Sequence, residues 1–108
     1  MLTSATTLVE RRTVLTGDFG THPYEAGWAT EALFYVRTEG PHPTLTIQAQ
    51  VSPDGVEWLD RGARLTLPSD RSLIDVELYG FGTWIRLFIT GSTSEQPTTL
   101  LVHLALKG

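Results

Sequence analysis

Apolar residues recur along this chain with a period of two, and no segment sustains the period of 3.6 that marks an amphipathic helix. Residues 44–52 give the cleanest run: Leu45, Ile47, Ala49 and Val51 share one face, and Thr44, Thr46, Gln48, Gln50 and Ser52 share the other. Ile74, Val76 and Leu78 alternate with Asp75, Glu77 and Tyr79, and Leu100, Val102, Leu104 and Leu106 alternate with Leu101, His103, Ala105 and Lys107. Successive side chains of a strand point to opposite faces, so each run predicts a strand with one buried face. Two runs, 32–36 and 84–89, are apolar on both faces. Such strands lie centrally in a sheet or meet another subunit with their outer side. Leu33, Tyr35, Ile85 and Leu87 are therefore candidate interface residues. Shorter strands are predicted at 56–60 and 63–67, and another around 8–15.

Turn-forming residues separate these runs. Clusters of Gly, Pro, Asp and Ser fall at 16–18, 39–43, 52–55, 68–71, 79–82 and 91–97, where Gly accepts positive φ and Pro fixes φ. About seven or eight strands at this spacing predict an all-β, antiparallel, jelly-roll-like β-sandwich. The chain reads as one domain, with an N-terminal strand or arm and a loop over 1–26 and the sandwich body over 27–108. Residues 17–26 show no alternation and read as an irregular loop. Residues 1–7 are small and polar apart from Leu2, so they predict an arm that gains its order by docking on a neighbouring subunit.

Composition narrows the function. A length of 108 residues suits one hydrophobic core. The absence of cysteine excludes disulfides, thiolate metal sites and cysteine nucleophiles. Net charge is −4, from 8 Lys+Arg against 12 Asp+Glu, which disfavours nucleic acid as a partner. No apolar run approaches a membrane span. The first residues lack the charged and apolar regions of a signal peptide, so synthesis in a cytoplasm is expected.

No catalytic constellation is legible, and neither a cofactor nor a metal is expected. His22, His42 and His103 have no partner at a metal-ligand spacing. Asp54, Glu57 and Asp60 cluster at one hairpin, but Asp in a Pro-Asp-Gly turn is explained by capping its own backbone. Glycine-rich phosphate loops and Gly-x-Ser-x-Gly elbows are absent. Trp28, Trp58, Trp84, Tyr24, Tyr35, Tyr79 and Phe81 suit core and interface packing, with a sugar-stacking platform as the other use.

One constellation is familiar. Residues 43–58 form a strand that ends in Ser52-Pro53-Asp54-Gly55, followed by Trp58. Gly27-Trp28 lies upstream, and Trp84-Ile85-Arg86 and a last apolar strand lie downstream. This order resembles a group of small tailed-phage and prophage structural proteins that carry a Ser-x-Asp-Gly-x-x-Trp hairpin. The resemblance implies a jelly-roll-like virion part made in the host cytoplasm, such as a capsid decoration protein, with itself and a capsid or other virion protein as partners. Ser52, Asp54, Gly55, Trp58, Trp84 and Arg86 are the motif residues. In physical terms Asp54-Gly55 makes the turn, Trp58 is expected to return its ring to the core between the sheets, and Arg86 to pair with a carboxylate or stack on an aromatic. The same residues also resemble discoidin-like carbohydrate-binding sandwiches, which imply a glycan ligand instead.

Overall fold

The computed structural model describes residues 3–108 of the chain. Nine strands follow one another: β1 (Ser4–Leu15), β2 (Phe19–Gly20), β3 (Tyr24–Glu25), β4 (Glu31–Glu39), β5 (Leu45–Ser52), β6 (Leu59–Leu67), β7 (Leu73–Tyr79), β8 (Trp84–Thr90) and β9 (Thr98–Lys107). They build two antiparallel sheets. Sheet A has the order β1-β9-β4-β7, and sheet B the order β2-β8-β5-β6, with β3 also on β8.

The pairings nest. β1 pairs with β9, β2 and β3 with β8, β4 with β7, and β5 with β6. The chain is thus one long hairpin folded back on itself. Pairing of β4 with β9 and of β5 with β8 rolls that hairpin into two layers. This is the jelly roll expected from the alternation. The strand count is nine because one edge position is shared by two short pieces, β2 and β3.

That split corrects the loop expected at 17–26. The segment follows β8 along much of its length, but Pro23 has no N–H to give a ladder. Thr21 bridges the gap: its N–H donates to the Leu87 carbonyl at 2.8 Å, and its hydroxyl accepts from the Leu87 N–H at 3.0 Å. A side-chain oxygen standing in for a backbone carbonyl leaves no periodic signal. Phe19 and Tyr24 pack on the core from this edge.

The core is made by the inward halves of the alternating runs. Phe34, Leu45, Ile47, Ile85, Leu87, Ile89, Leu100 and Leu104 are all fully buried. Ile85 and Leu87 are therefore core residues, which corrects their assignment to an interface. In a run apolar on both faces the sequence does not reveal which phase points inward. The outward residues of β8 are Trp84, Arg86 and Phe88, all half-buried. The predicted strand at 56–60 begins only at Leu59 and runs on to Leu67, because residues 53–58 belong to the turn.

The N-terminal segment also differs from expectation. Ser4 to Thr7 pair in register with Lys107 to Leu104 of the same chain, and Thr3 and Gly108 exchange backbone hydrogen bonds at 2.7 and 2.8 Å. Pairing with β9 of the same chain accounts for its order without a neighbouring subunit; Leu2 lies outside the described residues. β1 continues past two register shifts, between Leu8 and Glu10 and between Glu10 and Thr13, and Arg12 takes φ 46° there.

Gly91 tests the sandwich geometry. It holds φ 118°, and a Cβ there would run into the Thr44 carbonyl oxygen at the point where β8 leaves the sheet beside β5. Gly91→Ala should combine backbone strain with overpacking, about 3 kcal/mol, and lower Tm by roughly 15 °C. A variant that melts within a degree or two of the parent would contradict this placement of the β8–β9 loop.

Candidate functional site

The motif residues come together, but in a different place from the one expected. The turn after β5 closes on itself. The Ser52 hydroxyl accepts from the N–H groups of Asp54 (3.2 Å) and Gly55 (2.8 Å), and it donates to Asp54 Oδ1 at 3.0 Å. Asp54 Oδ1 also accepts from the N–H groups of Val56 (2.9 Å) and Glu57 (3.2 Å). Gly55 supplies the φ of 79° that the reversal needs. Donors from Val56, Glu57 and Ser52 hold the Asp54 carboxylate below its ordinary pKa.

This lock sets the path of the chain toward Trp58. The ring does not enter the core; Trp58 is half-buried and lies under the Arg86 guanidinium, 4.3 Å from its centroid. Arg86 projects from the outer face of sheet B, as do its neighbours Trp84 and Phe88. Its Nε donates to Gln50 Oε1 at 2.8 Å, and Gln50 Nε2 donates to Asp60 Oδ1 at 3.0 Å. Phe88 lies 5.7 Å from the guanidinium. Gly20 leaves the space below it, since a Cβ there would come within 2.7 Å of Nη1. Burial lowers the Arg86 pKa without discharging it. The Gly55 position rests on the Trp84 ring, with 3.4 Å between a Cβ built there and the nearest ring atom. The motif is thus a clamp that ties β2, β5, β6 and β8 together.

Sheet A's outer face is different. Leu33 is half-buried opposite Ala105 and Glu77, and Tyr35 is 39% exposed opposite His103 and Asp75. Tyr79 faces Glu31, Leu73 faces Arg37, Val14 faces Thr99 and Leu8 faces His103. Glu77 foremost, then burial and Glu31, push the Tyr79 phenol up. A shallow depression of about 160 Å³ lies between Leu33, Tyr35, Tyr79 and Ala105.

The histidines do not converge. His42 sets its ring nitrogens 2.7 Å from the Pro43 carbonyl and 2.6 Å from the Arg71 carbonyl, which joins two loops. Among the described residues no group of three His, Cys, Asp or Glu side chains is placed to hold a metal ion.

The family described as a domain of unknown function, DUF6385, matches residues 28–107, which span β4 to β9. The chain belongs to this family. No curated protein matches the sequence of this DUF6385 domain. In three dimensions it is similar to a solved structure of Bacillus endospore appendages, described as a novel family of disulfide-linked pili. The identity is 9%, the TM-score 0.57, and the match covers 97% of this chain and 87% of that one. At that identity the likeness establishes the shared sandwich fold.

Two measurements test the clamp. Trp58→Ala in this DUF6385 domain should cost about 1–2 kcal/mol, the worth of a partly buried ring and one cation–π contact, not the roughly 3–5 kcal/mol of a core aromatic. A double-mutant cycle with Arg86→Ala in urea should give a coupling of about 1 kcal/mol; additive losses would separate the two side chains. Acid tests the turn. The Asp54 pKa is lower folded than its ordinary 3.8, so folding favours the carboxylate. Its contribution is full above that ordinary value and is lost as pH falls through the lower folded one. Asp54→Ala should be less stable than the parent at neutral pH, with the gap closing in acid. A gap constant with pH would contradict this.

Proposed function

We propose that this DUF6385 domain is a non-enzymatic building block of a larger particle, associating with copies of itself through the outer face of sheet A. One observation carries the reading. Of the seven large hydrophobic residues exposed among the described residues, four lie on that face: Val14, Tyr35, Leu73 and Tyr79. Half-buried Leu8, Leu33, Leu101 and Ala105 share the face with them, as do the polar and charged side chains of Glu31, Arg37, Asp75, Glu77, His103 and Lys107. Exposed large hydrophobics gathered on one face and set among polar residues mark a protein contact. Four strands about 4.8 Å apart and about eight residues long give a plane of roughly 500 Å², before side-chain relief. That is a large part of the roughly 800 Å² per partner that a stable complex buries.

The edges are poorer candidates. β1 is interrupted by two register shifts, β2 and β3 by Pro23, and β6 by a shift opposite Gln48 and Gln50, while β7 pairs with β4 without a shift but carries the exposed charges Asp75 and Glu77. Such irregularities and charges blunt an edge as a template for a new strand. Association by face suits the geometry better.

The finer reading is a virion component of tailed-phage type, such as a decoration protein, made in the host cytoplasm and seated on a capsid or other virion protein. The order of features around the Ser52–Trp58 hairpin and Arg86 supports it. The likeness to a pilus protein supports the coarser idea of a sandwich that assembles. A disulfide-linked polymer is a poor analogue in one respect: this sequence has no cysteine, so it forms no disulfide between copies.

Sedimentation velocity across a concentration series tests the assembly. The parent should sediment as a dimer or larger species. Tyr35→Asp and Leu73→Asp, both at exposed positions, should give monomers with unchanged melting. A parent that stays monomeric at the highest concentration would remove the physical support for a particle component.

A further inference from the structure

We infer that the outer face of sheet B carries a binding site for a neutral pyranose ring, independent of the contact proposed for sheet A. The site is a depression of about 280 Å³ beside the Arg86 clamp, near the lower end of the size range of small-ligand sites. Gln48, Gln50, Asp60, Arg64, Phe88 and Thr90 line it. The register explains why they meet: Gln48 lies between Phe88 and Arg64 across three strands, and Gln50 between Arg86 and Asp60.

The two glutamines and Asp60 there are already held by hydrogen bonds. Gln48 is 8% exposed, and its Nε2 donates to the carbonyls of Ala49, Arg61 and Gly62 at 3.1, 3.2 and 3.3 Å. The Arg61 and Gly62 carbonyls are turned toward it by the bulge around Gly62, which has φ 79°. Every donor bond thus goes to backbone, and Gln48 Oε1 remains an acceptor with no protein partner. No buried side-chain polar atom among the described residues lacks a partner, so this oxygen is open to solvent. Gln50 is held at both ends, by Arg86 and by Asp60. Asp60 keeps its second oxygen, and Arg64 forms no ion pair among the described residues. The half-buried Phe88 ring stands beside them.

Sugars match this set. Neighbouring hydroxyls each donate and accept, which suits the Gln48 and Asp60 oxygens next to the Arg64 guanidinium. The C–H face of a pyranose suits the Phe88 ring. The lining carries one carboxylate and one outward guanidinium, so a neutral ligand leaves neither charge opposed. Because the acceptors are held before the ligand arrives, binding incurs little ordering cost. Asp60 is the single carboxylate of the lining, which provides for binding and not for the paired-carboxylate hydrolysis of a glycosidic bond.

The test is a ¹H–¹⁵N NMR titration of the full chain with methyl glucopyranoside, methyl mannopyranoside and methyl galactopyranoside, each to tens of millimolar. The expected result is saturable shifts with at least one of them, centred on the backbone amides of Gln48, Asp60, Arg64, Phe88 and Thr90 and on the side-chain amide of Gln48. Arg64 is exposed, so Arg64→Ala should keep the fold, and it should weaken binding about tenfold through loss of a charge-assisted hydrogen bond. Tyr35→Asp, on the opposite sheet, should leave the titration unchanged. The absence of saturable shifts with all three glycosides would overturn the site, as would an affinity unaltered by Arg64→Ala.

Discussion

A two-layer sandwich can bury only one side of each strand. In this domain the inward sides of β4, β5, β8 and β9 meet to form most of the core, and the nested pairing of the chain brings those four strands to the centres of the two sheets. Phe34, Ile47, Leu87 and Leu104 settle the fold energetically, since each fully buried side chain of this size contributes about 1.5–3 kcal/mol relative to exposure. The outer sides of the same strands must still be dealt with. β8 turns Trp84, Arg86 and Phe88 outward, and β4 turns out Leu33 and Tyr35. Sheet B shelters Trp84 and Arg86 with the 53–58 turn and the Arg86–Trp58 stack, and leaves Phe88 beside the Gln48 depression. Sheet A has no such cover among the described residues. The contrast between a clamped outer face and an open one separates the structural residues of this domain from those left for contact.

Much of the fold was legible because alternation reports burial directly. Residues 44–52 and 100–107 read as strands with the correct inward face, since one side of each is wholly apolar or small. Where both sides are apolar the phase is lost, and so Ile85 and Leu87 read as interface candidates although they lie in the core. The β2–β3 edge was hidden because Thr21 substitutes a hydroxyl for a ladder carbonyl and Pro23 breaks the pattern. The order of the N-terminal segment was hidden for another reason. Ser4 to Thr7 have little to bury, and their order comes from backbone hydrogen bonds to β9, which carry no side-chain signature.

The candidate sites were less legible than the fold. Asp54 and Gly55 behave as the turn chemistry requires, and Arg86 stacks on an aromatic as expected. Trp58 was misplaced because turn chemistry fixes where a chain reverses, not which side of the sheet the following residue covers. The Gln48 pocket left no sequence signal at all. A glutamine on the polar side of a strand ordinarily faces water, and only the bulge opposite it, with Gly62 at positive φ, folds backbone carbonyls over its amide.

The clamp also bears on how much a hairpin signature can say about function. Ser52, Asp54, Gly55, Trp58 and Arg86 are each accounted for by a local physical task. The hydroxyl and the carboxylate satisfy the turn's donors, the glycine permits its φ, and the indole and guanidinium seal the exposed side of a central strand. Any antiparallel sandwich with a tight reversal beside a strand that needs cover gains from the same set. Such a signature can therefore arise in virion proteins and in carbohydrate-binding sandwiches without shared function, because function resides in sites placed on a fold and not in what holds the fold together. In this domain the residues free of structural duty are Tyr35, Tyr79, Leu73 and Val14 on one sheet and Arg64 with the unpartnered oxygens of Gln48 and Asp60 on the other. Those positions, more than the hairpin, distinguish an assembling particle component from a simple sandwich module, and two members of the family that agree in the hairpin but differ there are expected to differ in what they bind.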